Sequence, residues 1–110
     1  MVWGKWWSFT KMIVSTEPDK LGVYELEDSF HKTVYYGSGK IKPRLLDHLN
    51  KREFPMAKNY RVDLFNTELE CSAREKVLLE EYRKKHEKLP MYNEMIIKRD
   101  ENSYWVGVKF

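Results

Sequence analysis

The sequence predicts a small α+β fold, an antiparallel sheet flanked by helices, and three observations carry that expectation. Residues 21–27 alternate between two faces, with Val23, Glu25 and Glu27 on one and Tyr24 and Leu26 on the other. A second β-rich run, residues 33–37, follows after only five residues, so the two form a hairpin and pair antiparallel. The helical patterns that follow interrupt the strands and do not alternate with them one for one, which separates this chain from doubly wound folds.

Taken in order, residues 5–14 are aromatic and β-branched and end at the turn-like 15–20, which predicts a first strand. The hairpin 21–37 comes next, and the glycines of 37–40 are expected to make a tight turn after it. Pro43 suits the first turn of a helix, Leu45, Leu46 and Leu49 supply its apolar stripe, and Pro55 ends it. Residues 59–65 alternate as another strand, with Tyr60, Val62 and Leu64 on one side. Ser72 and Glu75 have capping-box spacing for a long helix that buries Val77, Leu78, Leu79 and Tyr82 and is closed by 88–93. Residues 95–110 predict a terminal hairpin around a polar turn. The expected order is β-ββ-α-β-α-ββ in a single domain, 1–110, with a core over about 20–93 and extensions at 1–19 and 94–110.

With 42% apolar and 34% charged residues the chain is globular in composition. Cys71 is the only cysteine, which excludes an intrachain disulfide and a cysteine-built zinc site and favours a reducing compartment. The first fifteen residues are interrupted by Lys5, Ser8, Thr10 and Lys11, so neither a signal peptide nor a membrane span is expected there. The expected location is cytoplasmic. Net charge is +3, and its excess is local. Residues 35–61 hold seven Lys or Arg against two Asp or Glu, while the flanking stretches balance to within one charge. A stripe of this kind, with Lys40, Lys42, Lys51 and Arg52, suits a phosphate backbone; its plainer reading is a solvated helix face.

The polar residues form an ordered set. Gly22-Val23-Tyr24 and Tyr35-Tyr36-Gly37 lie on the two hairpin strands, Arg44 follows Gly37 by seven residues, and His48 follows Arg44 by four. A helix bearing Glu75 and the pair Tyr92-Asn93 complete it. Over about residues 20–93 this set resembles the GIY-YIG nuclease domain. The resemblance implies a nuclease that hydrolyses nucleic-acid phosphodiesters, DNA first and in branched or damaged forms, at one divalent cation, Mg²⁺ or Mn²⁺. It implies catalytic roles for Tyr24, Tyr35, Arg44 and His48, a metal-holding carboxylate at Glu75, and supporting roles for Gly22, Gly37 and Asn93, the last tying the helix end back to the hairpin. Glu80 is the alternative metal ligand, nearer to Tyr92, but Arg83 and Lys84 then stand where the family has an apolar pair. Val23 and Tyr36 depart from the family's isoleucines, and Pro43 directly precedes Arg44.

The chemistry of these residue types agrees with those roles. A phenol of pKa ~10 needs nearby positive charge to act as a base near neutrality. Arg44 supplies such a charge in a fork that matches phosphate oxygens, and His48 lies one helical turn further on. Each residue also has a plain reading: the tyrosines as packing, Arg44 and His48 as a surface pair, Glu75 as the cap partner of Ser72, Asn93 as a turn residue. Trp3, Trp6 and Trp7 suit a base-stacking platform or, more simply, a strand over the sheet. Trp105 suits a core or dimer anchor, and the terminal strands offer an edge for a second copy or a partner protein. The alternatives to a nuclease are a nucleic-acid-binding module of the same fold and a protein-interaction domain.

Overall fold

A computed structural model describes residues 3–96 of the chain. In order it contains β1 (Trp7–Ser8), α1 (Lys11–Val14), β2 (Leu21–Glu27), β3 (Thr33–Lys40), α2 (Ile41–Lys51), β4 (Asn59–Leu64) and α3 (Glu68–His86). A further helical stretch runs over 91–96. The strands form one antiparallel sheet in the order β1-β4-β2-β3, so the molecule is a small α+β domain with helices against its sheet.

β2 is the central strand and is buried along almost its whole length, which its alternation makes possible on both faces. Tyr24 and Leu26 enter one core with Tyr35, Tyr60, Ile41, Leu45, Val14 and Phe54. Val23 and Tyr36 enter a second with Cys71, Leu78 and Tyr82 of α3. The β2–β3 register slips between Leu26 and Glu27, which pair with Tyr35 and Thr33. Val34 is the extra residue, so Val34 and Tyr35 join the same core, an arrangement that strict alternation forbids.

Val77, expected on the buried side of the long helix, is exposed, and four expectations about the elements need correction. The strand foreseen over 5–14 is reduced to Trp7–Ser8, because Thr10 caps a short helix that starts at Lys11 by accepting from the Ile13 N–H. The glycines of 37–40 do not make a turn: β3 runs through to Lys40 and α2 begins at the next residue. α3 starts at Glu68, not near Ser72, since Thr67 and Glu70 form the capping box. Residues 95 and 96 are helical, so no strand starts at Met95; the rest of the expected terminal hairpin, Trp105 included, lies outside the described residues.

The tryptophans of the N-terminal segment have a structural occupation. Glu25 is buried on β2 and accepts from Arg61 Nε at 2.7 Å and from the Thr33 hydroxyl at 2.6 Å. The Arg61 guanidinium lies 4.5 Å from the ring centres of both Trp3 and Trp6. The two indoles thus cover a buried-carboxylate ion pair and gain cation–π attraction from it. Among the described residues, no helix is long and apolar enough to cross a membrane.

Candidate active site

The site is built from the far end of the hairpin and the start of α2. Tyr24 sits opposite Gly37 in the β2–β3 ladder, and a Cβ at Gly37 would collide with the far end of the Tyr24 ring. The phenol therefore lies across Gly37 towards the outer edge of the sheet, a path that any other residue closes. Two residues on, Gly39 has φ +126°, and a Cβ there would come within 2.5 Å of Arg44 Cδ. Gly39 both takes a backbone conformation that suits glycine and clears the stem of Arg44. Gly22 is similarly constrained, its Cβ position being 2.6 Å from the Asp63 carbonyl oxygen.

Direct contacts tie the cluster together. The Tyr24 hydroxyl is 2.7 Å from His48 Nε2, and His48 Nδ1 is 2.9 Å from Glu53 Oε1. The Tyr24 and Tyr35 ring centres are 6.0 Å apart, and Tyr35 and His48 meet edge-on at 5.6 Å. Phe54 packs on both Tyr35 and His48, at 4.5 and 4.7 Å, and on Tyr92 at 4.8 Å. Tyr24, Tyr35 and His48 are buried, while Arg44 is exposed.

Burial, then the neighbouring Tyr35, pushes the Tyr24 phenol well above its usual range, with Arg44 pulling the other way. Tyr35 is raised by burial and by the charge of Glu75. For Arg44, burial alone favours the neutral form, but Tyr24, Tyr35 and Glu75 outweigh it and raise its pKa. His48 is lowered by burial, against the pull of Glu53, and so favours the neutral ring. Glu75 thus acts on Tyr24, Tyr35 and Arg44 from α3, which packs on the opposite face of the sheet. It is half-buried, whereas Glu80 is exposed, and both line the same groove along α3. A groove of about 310 Å³ along α3 is lined by Ser72, Glu75, Leu79 and Arg83, and another of about 270 Å³ by His48, Arg52, Phe54 and Phe9.

The expected residues separate into those the fold brings together and those it does not. Tyr24, Tyr35, Arg44 and His48 form one cluster, and the charge of Glu75 acts on the first three. Asn93 bonds the hairpin from the chain's far end: its Oδ1 accepts from the Tyr36 N–H and its Nδ2 donates to the Tyr36 carbonyl, both at 3.0 Å. Tyr36 itself faces the second core against Tyr82, and burial with Glu25 nearby pushes it up to about 12. Lys40 and Arg52 are exposed, Lys42 is half-buried, and Lys51 pairs with Asp47 at 3.0 Å. Three residues escaped the sequence reading. Gly39 looked like a turn glycine, and Glu53 and Phe54 like the end of a helix; only the position of Glu53 five residues past His48 hinted at a partner.

Among the described residues, no group of three or more His, Cys, Asp or Glu is placed to hold a metal ion. The cluster therefore does not suit a closed protein cage such as structural zinc requires. Of the nearby carboxylates, Glu75 is the one whose charge acts on all of Tyr24, Tyr35 and Arg44.

A family model described as a domain of unknown function, DUF7508, matches residues 2–85. No curated protein matches the chain.

Proposed function

The chain belongs to the DUF7508 family, whose description assigns no activity, and from the site itself we propose that it is a metal-dependent endonuclease of GIY-YIG type acting on DNA. The observation that carries this reading is the convergence of two phenols, a guanidinium and an imidazole at the edge of β3, with a carboxylate in range across that edge. Gly37 and Gly39, which make room for the Tyr24 ring and the Arg44 stem, support it by setting where both side chains lie.

In this reading Arg44 binds the scissile phosphate and stabilises its growing negative charge. His48, held neutral, accepts the proton that Tyr24 passes on from the attacking water. Tyr35 fixes the edge of the pair and lines the approach. Glu75 would hold Mg²⁺ or Mn²⁺, and the cation would supply polarisation of the phosphate and charge stabilisation for the leaving oxygen. Lys40, Lys42 and Arg52 extend the positive surface along the nucleic-acid backbone.

The test is cleavage of duplex, branched and single-stranded DNA by purified protein with Mg²⁺ or Mn²⁺. Cleavage is expected, with loss in Arg44→Ala and Glu75→Ala and retention in Glu80→Ala. Intact substrates under all these conditions rule the nuclease out. The second reading, a nucleic-acid-binding module, is favoured by the complete burial of Tyr24, which opposes its ionisation. It predicts binding that weakens with salt and no cleavage.

A further inference from the structure

Among the residues around His48, Glu53 has a placement that chain connectivity alone does not require. α2 ends with Arg52 in the left-handed region at φ 53°, which reverses the chain. The Glu53 N–H then donates to the His48 carbonyl at 3.2 Å, closing the helix end over the residue that carries the imidazole. From that position the Glu53 carboxylate reaches back to His48 Nδ1 at 2.9 Å, so one residue grips His48 by both its backbone and its ring. Phe54 stacks 4.7 Å from the same ring and closes its outer side.

The protonation pattern follows from donor and acceptor chemistry. An ionised carboxylate only accepts, so the proton of a neutral His48 ring sits on Nδ1 and points to Glu53. Nε2 is then the acceptor, and at 2.7 Å the Tyr24 hydroxyl must donate to it. The Tyr24 oxygen is left with its lone pairs directed away from the imidazole, towards the side where Arg44 lies. The opposite tautomer would turn a bare Nδ1 lone pair towards the Glu53 carboxylate, setting acceptor against acceptor.

We propose that Glu53 is a positioning residue that fixes His48 as the Nδ1–H tautomer, aligning Nε2 to take the Tyr24 proton. Its catalytic consequence rests on the nuclease reading above. As water attacks phosphorus, its proton goes to the Tyr24 oxygen while the phenolic proton moves to Nε2. The hydroxide forms the new P–O bond, and the leaving oxygen departs with its bonding pair. The imidazolium formed is paired with the Glu53 carboxylate that already holds its Nδ1–H.

The experiment is ¹⁵N NMR of the His48 ring in the full chain, assigned with His48→Gln, for wild type, Glu53→Gln and Glu53→Ala. Wild type is expected to give a protonated Nδ1 and a bare Nε2 near neutral pH. Glu53→Gln keeps an accepting oxygen and retains that pattern, whereas Glu53→Ala gives a mixture of tautomers. Glu53 is 23% exposed against 8% for His48, so the truncation leaves the core intact, and a dispersed amide spectrum checks this. Cleavage by Glu53→Ala falls on the order of 10-fold to 100-fold in kcat with KM unchanged, the scale seen when a histidine loses its orienting partner. A wild-type ring protonated on Nε2, or a tautomer unaltered in Glu53→Ala, overturns the proposal. If the tautomers behave as stated but wild type cuts no DNA, the nuclease reading fails and the positioning of the Tyr24–His48 pair stands.

Discussion

Replacing Gly37 with alanine puts a methyl group where the far end of the Tyr24 ring already lies. Tyr24 is wholly buried between β3, α2 and the neighbouring rings, so it has no open space to retreat into. Overpacking of this kind costs ~1–3 kcal/mol, and the upper half of that range applies because the ring is enclosed. Alanine returns ~0.5–1 kcal/mol over glycine within a strand. Gly37 has no positive φ, unlike Gly39, so no backbone strain enters. The net loss is ~1–2.5 kcal/mol, and at ~2.1 cal/mol/K of unfolding entropy per residue this lowers the Tm of a 110-residue chain by about 4–11 °C. The assay is thermal and urea unfolding by circular dichroism for wild type, Gly37→Ala, Tyr24→Leu and the double variant. Leucine is too short to reach Gly37, so in that background the alanine is expected to be neutral or stabilising by ~0.5–1 kcal/mol. Equal losses in both backgrounds would show that Gly37 is needed for some reason other than room for the phenol, and the account of the site's edge would fail with it.

Other outcomes follow from the same contacts. Tyr24→Phe leaves the ring in place and deprives buried His48 Nε2 of its partner, so stability falls by ~1–3 kcal/mol in urea titrations. The His48 pKa is depressed in the folded state, so the unfolded chain binds more protons as acidity rises. Stability is therefore lost as pH falls below the ordinary histidine range, and His48→Gln flattens that part of the pH–stability curve. Tyr24, Tyr35 and Tyr60 are raised, so the unfolded chain loses protons first and stability falls above about pH 10. A part of the tyrosinate absorbance in that range should rise only together with unfolding, and Tyr24→Phe should make that part smaller. Glu87 caps α3 at φ 62°, and Glu87→Gly is expected to raise stability by up to ~1 kcal/mol in the same titrations, since glycine carries no left-handed penalty.

The sequence pattern made much of the scaffold legible, for a physical reason. β2 alternates because each of its faces meets a different core, and that alternation is written in residues 21–27. The spacing of Arg44 and His48 was equally readable, since one helical turn fixes their relation. What could not be read depended on long-range fit. The capping box at Thr67 and Glu70 competed with an equally good one at Ser72 and Glu75, and local spacing cannot choose between them. The first segment looked like a strand because Phe9, Met12, Ile13 and Val14 are apolar, but Thr10 starts a helix among them. Gly39 and Glu53 were invisible as site residues because their roles exist only once Arg44 and His48 are in place.

Asn93 has a consequence for how copies of this molecule meet. β3 is the outermost strand on its side, and its Tyr36 N–H and carbonyl point outward from the sheet. A visiting strand would use that same pair of groups to dock and extend the sheet. The carboxamide of Asn93 already occupies both, so it stands in for one residue of a fifth strand and holds the seat against any other. The opposite border is guarded differently, by a strand only two residues long. The sheet thus carries a built-in stopper against edge-to-edge pairing, and the side chain that supplies it lies 57 residues along the chain from the tyrosine it protects.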